Sequence, residues 1–192
     1  MNSILLASAG RTTWDEEGRL VGSRSLPLST QGRQAMQQIA GQLHEIPVSV
    51  IYTGHSRYCL ESARILAQGS RVPVKCLDAF AEVNQGVWEG LRLAELEHQY
   101  ARAYRTWLHN PAAICPPHGE NLVHAYERVR SALATLARRH RGQLIGIVAP
   151  RLLGALIQCC LRGLGVESVW QIYREDVTWE ILPVPDSFVG RA

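Results

Sequence analysis

Three arginines stand where an α/β chain presents side chains to a ligand. Arg11 follows an apolar run at residues 4–8, and Arg57 opens a helical segment after the run at residues 48–53. Arg151 follows Pro150, just past the run at residues 143–148. Open α/β sheets bind ligands at the carboxyl ends of their strands, and a guanidinium forks onto phosphate or carboxylate oxygens. The three therefore form a candidate anion site, to which helix N-termini facing the same crevice would add. The alternative is that they are solvated or paired with Asp15, Glu16, Glu17 or Glu82.

The cysteines point away from metal or thiol chemistry. Cys59, Cys76, Cys115, Cys159 and Cys160 fall in no CxxC or Cys/His ligand spacing, and no C-x5-R loop is present. Cys159 and Cys160 lie in an apolar helical segment and read as core, while Cys59 and Cys115 would be nucleophiles only with depressed thiol pKa values. No metal and no cofactor is implied. An odd number of cysteines outside any disulfide framework suits a reduced, cytoplasmic interior.

The elements that must carry these residues alternate short apolar runs with longer amphipathic segments, the pattern of an α/β fold. Residues 4–8, 48–53, 72–77 and 143–148 read as strands, and the alternating, aromatic segment 176–184 as the last one. Helices are expected at residues 30–44 behind a Ser29 cap, and at 57–68, 91–108 and 120–140. Pro150 suits the first turn of a helix running to about residue 161. Residues 110–119, with three prolines and a glycine, form a loop, and a short tail follows from residue 185.

A chain of 192 residues can bury one substantial core, so residues 1–192 are expected to form a single three-layer α/β/α domain. Its net charge of +3 comes from 20 basic and 17 acidic residues with no run of like charge, which leaves no nucleic-acid or membrane patch. Lys75 is the only lysine, a skew toward arginine that codon usage explains as readily as anion binding. No apolar run approaches membrane-spanning length, and the stretch Ile4-Leu5-Leu6 is too short for a signal-peptide core. Trp107, Trp170 and Trp179 can serve a core or a homodimer face equally.

A set of short motifs in one order along residues 4–165 resembles the histidine phosphatase, or phosphoglycerate-mutase-like, superfamily. LLASAGRTTW is similar to the opening L-V-R-H-G-E-T-x-W, with Gly10, Thr12 and Trp14 in place, and GRLVGSRSLPLSTQG to the stretch that follows it. IYTGHSRYCLESARILA is similar to I-Y-S-S-P-L-x-R-A-x-x-T-A, and EVNQGVWEG matches E-x-x-x-G-x-W-E-G without a gap. PPHGEN resembles P-x-G-E-S, Arg128 matches the arginine of the next helix, and LIGIVAPRLLGALI stands where a V-S-H-G-G-x-I-R strand end is found.

That resemblance implies a single α/β/α domain with a mostly parallel sheet, and a reaction in which a histidine is phosphorylated and then dephosphorylated. Such chemistry requires a neutral imidazole nucleophile, two arginines on the phosphoryl oxygens, a second histidine and a carboxylic acid for the leaving group. Laid onto this chain, the nucleophile falls on Ala9, the arginines on Ser8 and Tyr58, and the second histidine on Pro150. Alanine has no lone pair and proline has no donor, so the resemblance implies a pseudoenzyme. Glu82 matches the acid position, where it serves either as an acid or as a carboxylate that orders its loop; Arg11 stands where the family carries glutamate. The candidate ligand residues are then Arg11, Arg57, Arg151 and Glu82, for a phosphorylated or other anionic metabolite. A protein partner is the other expectation. The rival expectation is a weak phosphomonoesterase rebuilt around His55 or His118, in loops that the resemblance places at the pocket mouth.

Overall fold

The computed structural model describes residues 3–175 and 178–189. Among them five strands form one sheet: β1 (Ser3–Ser8), β2 (Ile51–Thr53), β3 (Val74–Cys76), β4 (Leu144–Ala149) and β5 (Trp179–Pro183). Their order is β3-β2-β4-β1-β5. The first four run parallel, and β5 pairs antiparallel with β1 on the outer edge. β1 is apolar without alternation because both of its faces are covered. Ile4 and Leu6 pack into one core cluster, and Leu5 and Ala7 into another on the opposite face.

The helices are α1 (Thr13–Glu16), α2 (Thr30–Leu43), α3 (Arg57–Ala67), α4 (Leu93–Gln99), α5 (Ala101–His109), α6 (Leu122–Arg139), α7 (Arg151–Leu161), α8 (Val169–Arg174) and α9 (Asp186–Val189). Leu43, Ala63 and Leu66 bring α2 and α3 against Leu5, Ala7 and Val148. Val129, Leu133, Leu153 and Leu156 bring α6 and α7 against the other face. The result is the three-layer α/β/α domain with a mostly parallel sheet that the element order implies. From Leu152 to Leu161 every residue of α7 is buried, so Cys159 and Cys160 are core.

Four local differences from the sequence reading have physical reasons. The segment 91–108 is two helices, because Tyr100 leaves helical geometry at φ −126° and ψ 34° and turns its ring toward Trp88, centroids 6.2 Å apart. α6 starts at Leu122 because the Asn121 side chain accepts a hydrogen bond from the Val123 amide and caps it there. Pro150 precedes α7 at φ −57° and ψ 159°, as its N-cap rather than within its first turn. The tail is not irregular: α9 packs on α6 and Phe188 is buried. Residues 176 and 177 of the expected last strand, and residues 190–192 of the tail, lie outside the described residues.

Candidate ligand cleft at the strand ends

β1 and β4 lie side by side, Ser8 opposite Ala149, and the Ala9 amide extends the ladder by donating to the Ala149 carbonyl at 2.8 Å. From there the chain leaves to opposite faces: β1 leads to α2, and β4 leads directly into α7. Adjacent parallel strands whose connections diverge leave a crevice at their carboxyl ends. A cleft of about 660 Å³ opens there, lined among others by Ser8, Ala9, Arg11, Tyr58, Glu82 and Pro150, with Arg151 beside them. The fold thus gathers all four positions at which the motifs depart from the family pattern, together with Glu82 and two of the three candidate arginines. None of the described residues lining the cleft is a histidine or a cysteine.

The loop after β1 is held by close backbone approach. A Cβ on Gly32 would lie 2.2 Å from the Arg11 carbonyl oxygen, and one on Gly10 would lie 2.8 Å from the Gly32 oxygen. Glycine at both positions lets the first turn of α2 cross the end of β1. The Gly10 amide donates to Ser62 Oγ at 2.9 Å, and the Ser29 amide donates to the Arg11 carbonyl at 2.9 Å. Thr12 and Asp15 then start α1 with a reciprocal capping box, which aims Asp15 at the cleft.

Glu82 sits across from the start of α7. Burial pushes its carboxyl up to about 7, against the opposing pull of the Val83 amide, the Arg128 guanidinium and the amides of Leu153 and Leu152. Pro150 offers no side-chain acceptor to the first turn of α7, and the Glu82 carboxyl faces the Leu152 and Leu153 amides there. Arg128 fixes the loop behind it. Its guanidinium binds both Glu120 oxygens, at 2.6 and 2.8 Å, and the Ala79 and Ala81 carbonyls at 2.6 and 2.9 Å. The adjacent Trp88-Glu89-Gly90 turn is equally committed. Trp88 is fully buried, and Glu89 accepts from the Ser23 amide and hydroxyl, both at 2.8 Å, and pairs with Arg24.

Tyr58 and Arg57 part company at the start of α3, because successive helical residues point about 100° apart. Tyr58 turns inward, 4% exposed, to pack with Met36 and Ile39, and burial first, then Cys59, Glu82 and Asp15, raises its hydroxyl pKa. Arg57 turns outward, pairs with Glu61 at 2.8 Å and does not line the cleft. His55 is exposed and its Nε2 lies 2.9 Å from Asp78 Oδ1; His118 occupies a left-handed turn at φ 60°. Neither lines the cleft. Burial pushes the Cys59 thiol up to about 12, which removes it as a nucleophile.

Two features of the lining carry no local sequence signal. Trp107 of α5 and Trp170 of α8 form an aromatic wall, joined by a 2.7 Å bond from Trp170 Nε1 to the Trp107 carbonyl, across 63 positions of sequence. Gln85, inside the quoted EVNQGVWEG motif, is 3% exposed and also lines the cleft. The aromatic content of both segments is visible in the sequence, but only the sheet order brings them together. Among the described residues no cluster of three or more His, Cys, Asp or Glu is placed to hold a metal ion, and no helix is long and apolar enough to cross a membrane.

A mostly parallel sheet with its cleft at the β1 and β4 ends, entered by a Gly-Arg-Thr loop, is the arrangement that the motif order leads to. The chain belongs to the histidine phosphatase superfamily (branch 1), whose family model matches residues 4–186. It is similar to phosphoserine phosphatase 1 of Hydrogenobacter thermophilus, 23% identical over 182 residues, 95% of this chain and 86% of that protein. Among solved structures it is similar to Bacillus stearothermophilus YhfR, with a TM-score of 0.83 and 25% identity over 88% of this chain and 84% of that one. A mycobacterial glucosyl-3-phosphoglycerate phosphatase shares the fold at a TM-score of 0.85 and 21% identity, covering 98% and 94% of the two chains.

Proposed function

We propose that this chain is a non-catalytic member of its superfamily that keeps the cleft as a binding site for a small anionic metabolite. The observation that carries the reading is the cleft lining: Ser8, Ala9, Tyr58 and Pro150 stand together where the motif alignment puts two arginines and two histidines. A phosphoryl group placed there meets no imidazole to accept it. Each missing donor of this kind removes roughly 2.7 to 4 kcal/mol of transition-state stabilisation, and four losses converge on one site. Arg11 remains open to an anion, Arg151 lies beside it against Tyr173, and the Glu82 carboxyl faces the start of α7.

Phosphomonoester hydrolysis with a rebuilt nucleophile is the second reading, favoured by the pairing of His55 with Asp78 and by the phosphatase names of the relatives. Steady-state turnover of p-nitrophenyl phosphate by the purified chain separates the two. The first reading predicts no release above buffer. Turnover that disappears in His55→Ala or His118→Ala would establish the second.

A further inference from the structure

One wall of the cleft is a rigid aromatic series. Trp107 and Trp170 meet edge to face with centroids 4.2 Å apart, and Trp170 meets Tyr173 at 5.7 Å. The Arg151 guanidinium lies 4.4 Å from the centre of the Tyr173 ring. All four side chains line the cleft, and the Trp170 indole is locked by its bond to the Trp107 carbonyl. Preformed ring surfaces of this kind favour a planar apolar body.

The charges define the other end of a ligand. Arg19 is paired with Glu17 at 2.7 Å and donates to the Gly90 carbonyl at 2.8 Å, while Arg151 donates to the Tyr173 carbonyl at 3.2 Å. Arg11 is exposed in the same lining, and no group of the described residues binds its guanidinium. Asp15 and Glu82 place two carboxyl groups nearby. A doubly charged phosphate monoester would meet one uncommitted guanidinium and two carboxyls, whereas a single carboxylate matches Arg11 as a fork. Gln85 adds a third feature: its Oε1 is buried and accepts no hydrogen bond from the described residues. Buried acceptors are normally satisfied, so Gln85 Oε1 offers a place for a ligand donor.

We infer that the cleft binds an aromatic carboxylate bearing a ring N–H or O–H, with its carboxylate on Arg11, its ring against Trp107, Trp170 and Tyr173, and its donor on Gln85. This deepens the proposed function and rests on it, since it names the class of anion that the cleft retains.

Calorimetry of the full chain at pH 8 tests it with four probes: indole-3-acetate, 1-naphthaleneacetate, 3-indolyl phosphate and inorganic phosphate. Indole-3-acetate should bind about tenfold more tightly than either 1-naphthaleneacetate or 3-indolyl phosphate, with no heat from inorganic phosphate. Arg11→Gln should weaken indole-3-acetate about tenfold, and Gln85→Leu should erase its advantage over 1-naphthaleneacetate. If Gln85→Leu fails to fold, the comparison of the two acetates on the unchanged chain decides the donor contact. Equal affinity for the two acetates would overturn that contact, and unchanged affinity in Arg11→Gln would overturn the placement. Tighter binding of either phosphate would overturn the carboxylate assignment while leaving anion binding in place. Silence from all four probes would overturn the assigned ligand class, while the non-catalytic reading stands or falls separately on p-nitrophenyl phosphate turnover.

Discussion

The Trp88-Glu89-Gly90 turn, outside the cleft lining, and the strand ends at Ser8, Ala9 and Pro150, which form part of it, answer to different demands. In the turn every family-like residue has an internal partner: Trp88 meets Trp107 at 5.4 Å, Glu89 holds Ser23 and Arg24, and the Gly90 amide donates to the Leu20 carbonyl at 2.8 Å. At the strand ends, the side chains that depart from the family pattern face the cleft, while the backbone beneath them keeps its ladder. Residues tied into packing are fixed by the fold whatever the chemistry. Under the proposed function, residues that would touch only a substrate are free to change.

Substitutions should break the two regions unequally. Trp88→Ala removes a fully buried indole and should cost about 4 kcal/mol by denaturant unfolding. Gly32→Ala drives a Cβ to 2.2 Å from the Arg11 carbonyl oxygen and should cost about 3 kcal/mol by the same measurement. A loss below about 1 kcal/mol in either would refute the packing role assigned to that position.

Glu82 stands between the two regions, and its effect depends on pH. Its folded pKa of about 7 lies above the ordinary 4.5, so the folded state holds the proton more tightly than the unfolded chain does. The associated stability is fully present below about 4.5 and is lost as pH rises through about 7. Between pH 5 and pH 8 the natural chain should therefore lose up to about 3 kcal/mol relative to Glu82→Gln, read as the difference of their unfolding curves. Parallel curves would mean that burial does not hold the Glu82 carboxyl above its ordinary range. The smallest effects belong to the cleft itself: Ser8→Ala and Arg11→Gln should move stability by no more than about 0.5 kcal/mol.

Much of this contrast was legible in the sequence, because strand runs and collinear motifs are local signals. Residues 4–8 and 143–148 named the central strands, and the motif order placed Ser8, Ala9, Tyr58, Glu82 and Pro150 together before any geometry was known. What escaped depends on direction or on distance. Arg57 and Tyr58 are neighbours in sequence, yet one helical step sends the first to Glu61 and the second into the cleft. The break at Tyr100 lies within continuous helical periodicity, and contact with Trp88 decides it. The Trp107 and Trp170 wall joins two helices far apart in the chain, and no spacing rule reaches across that gap.

A non-catalytic chain forms no phosphohistidine at any position. Intact-mass spectrometry of protein quenched in denaturant after exposure to p-nitrophenyl phosphate tests it most directly, run beside the variant Ser8→Arg, Ala9→His, Tyr58→Arg, Pro150→His. The natural chain should remain unmodified, and the variant should carry a phosphoryl group mapped to position 9. A phosphorylated natural chain, with the group on His55 or His118, would contradict it.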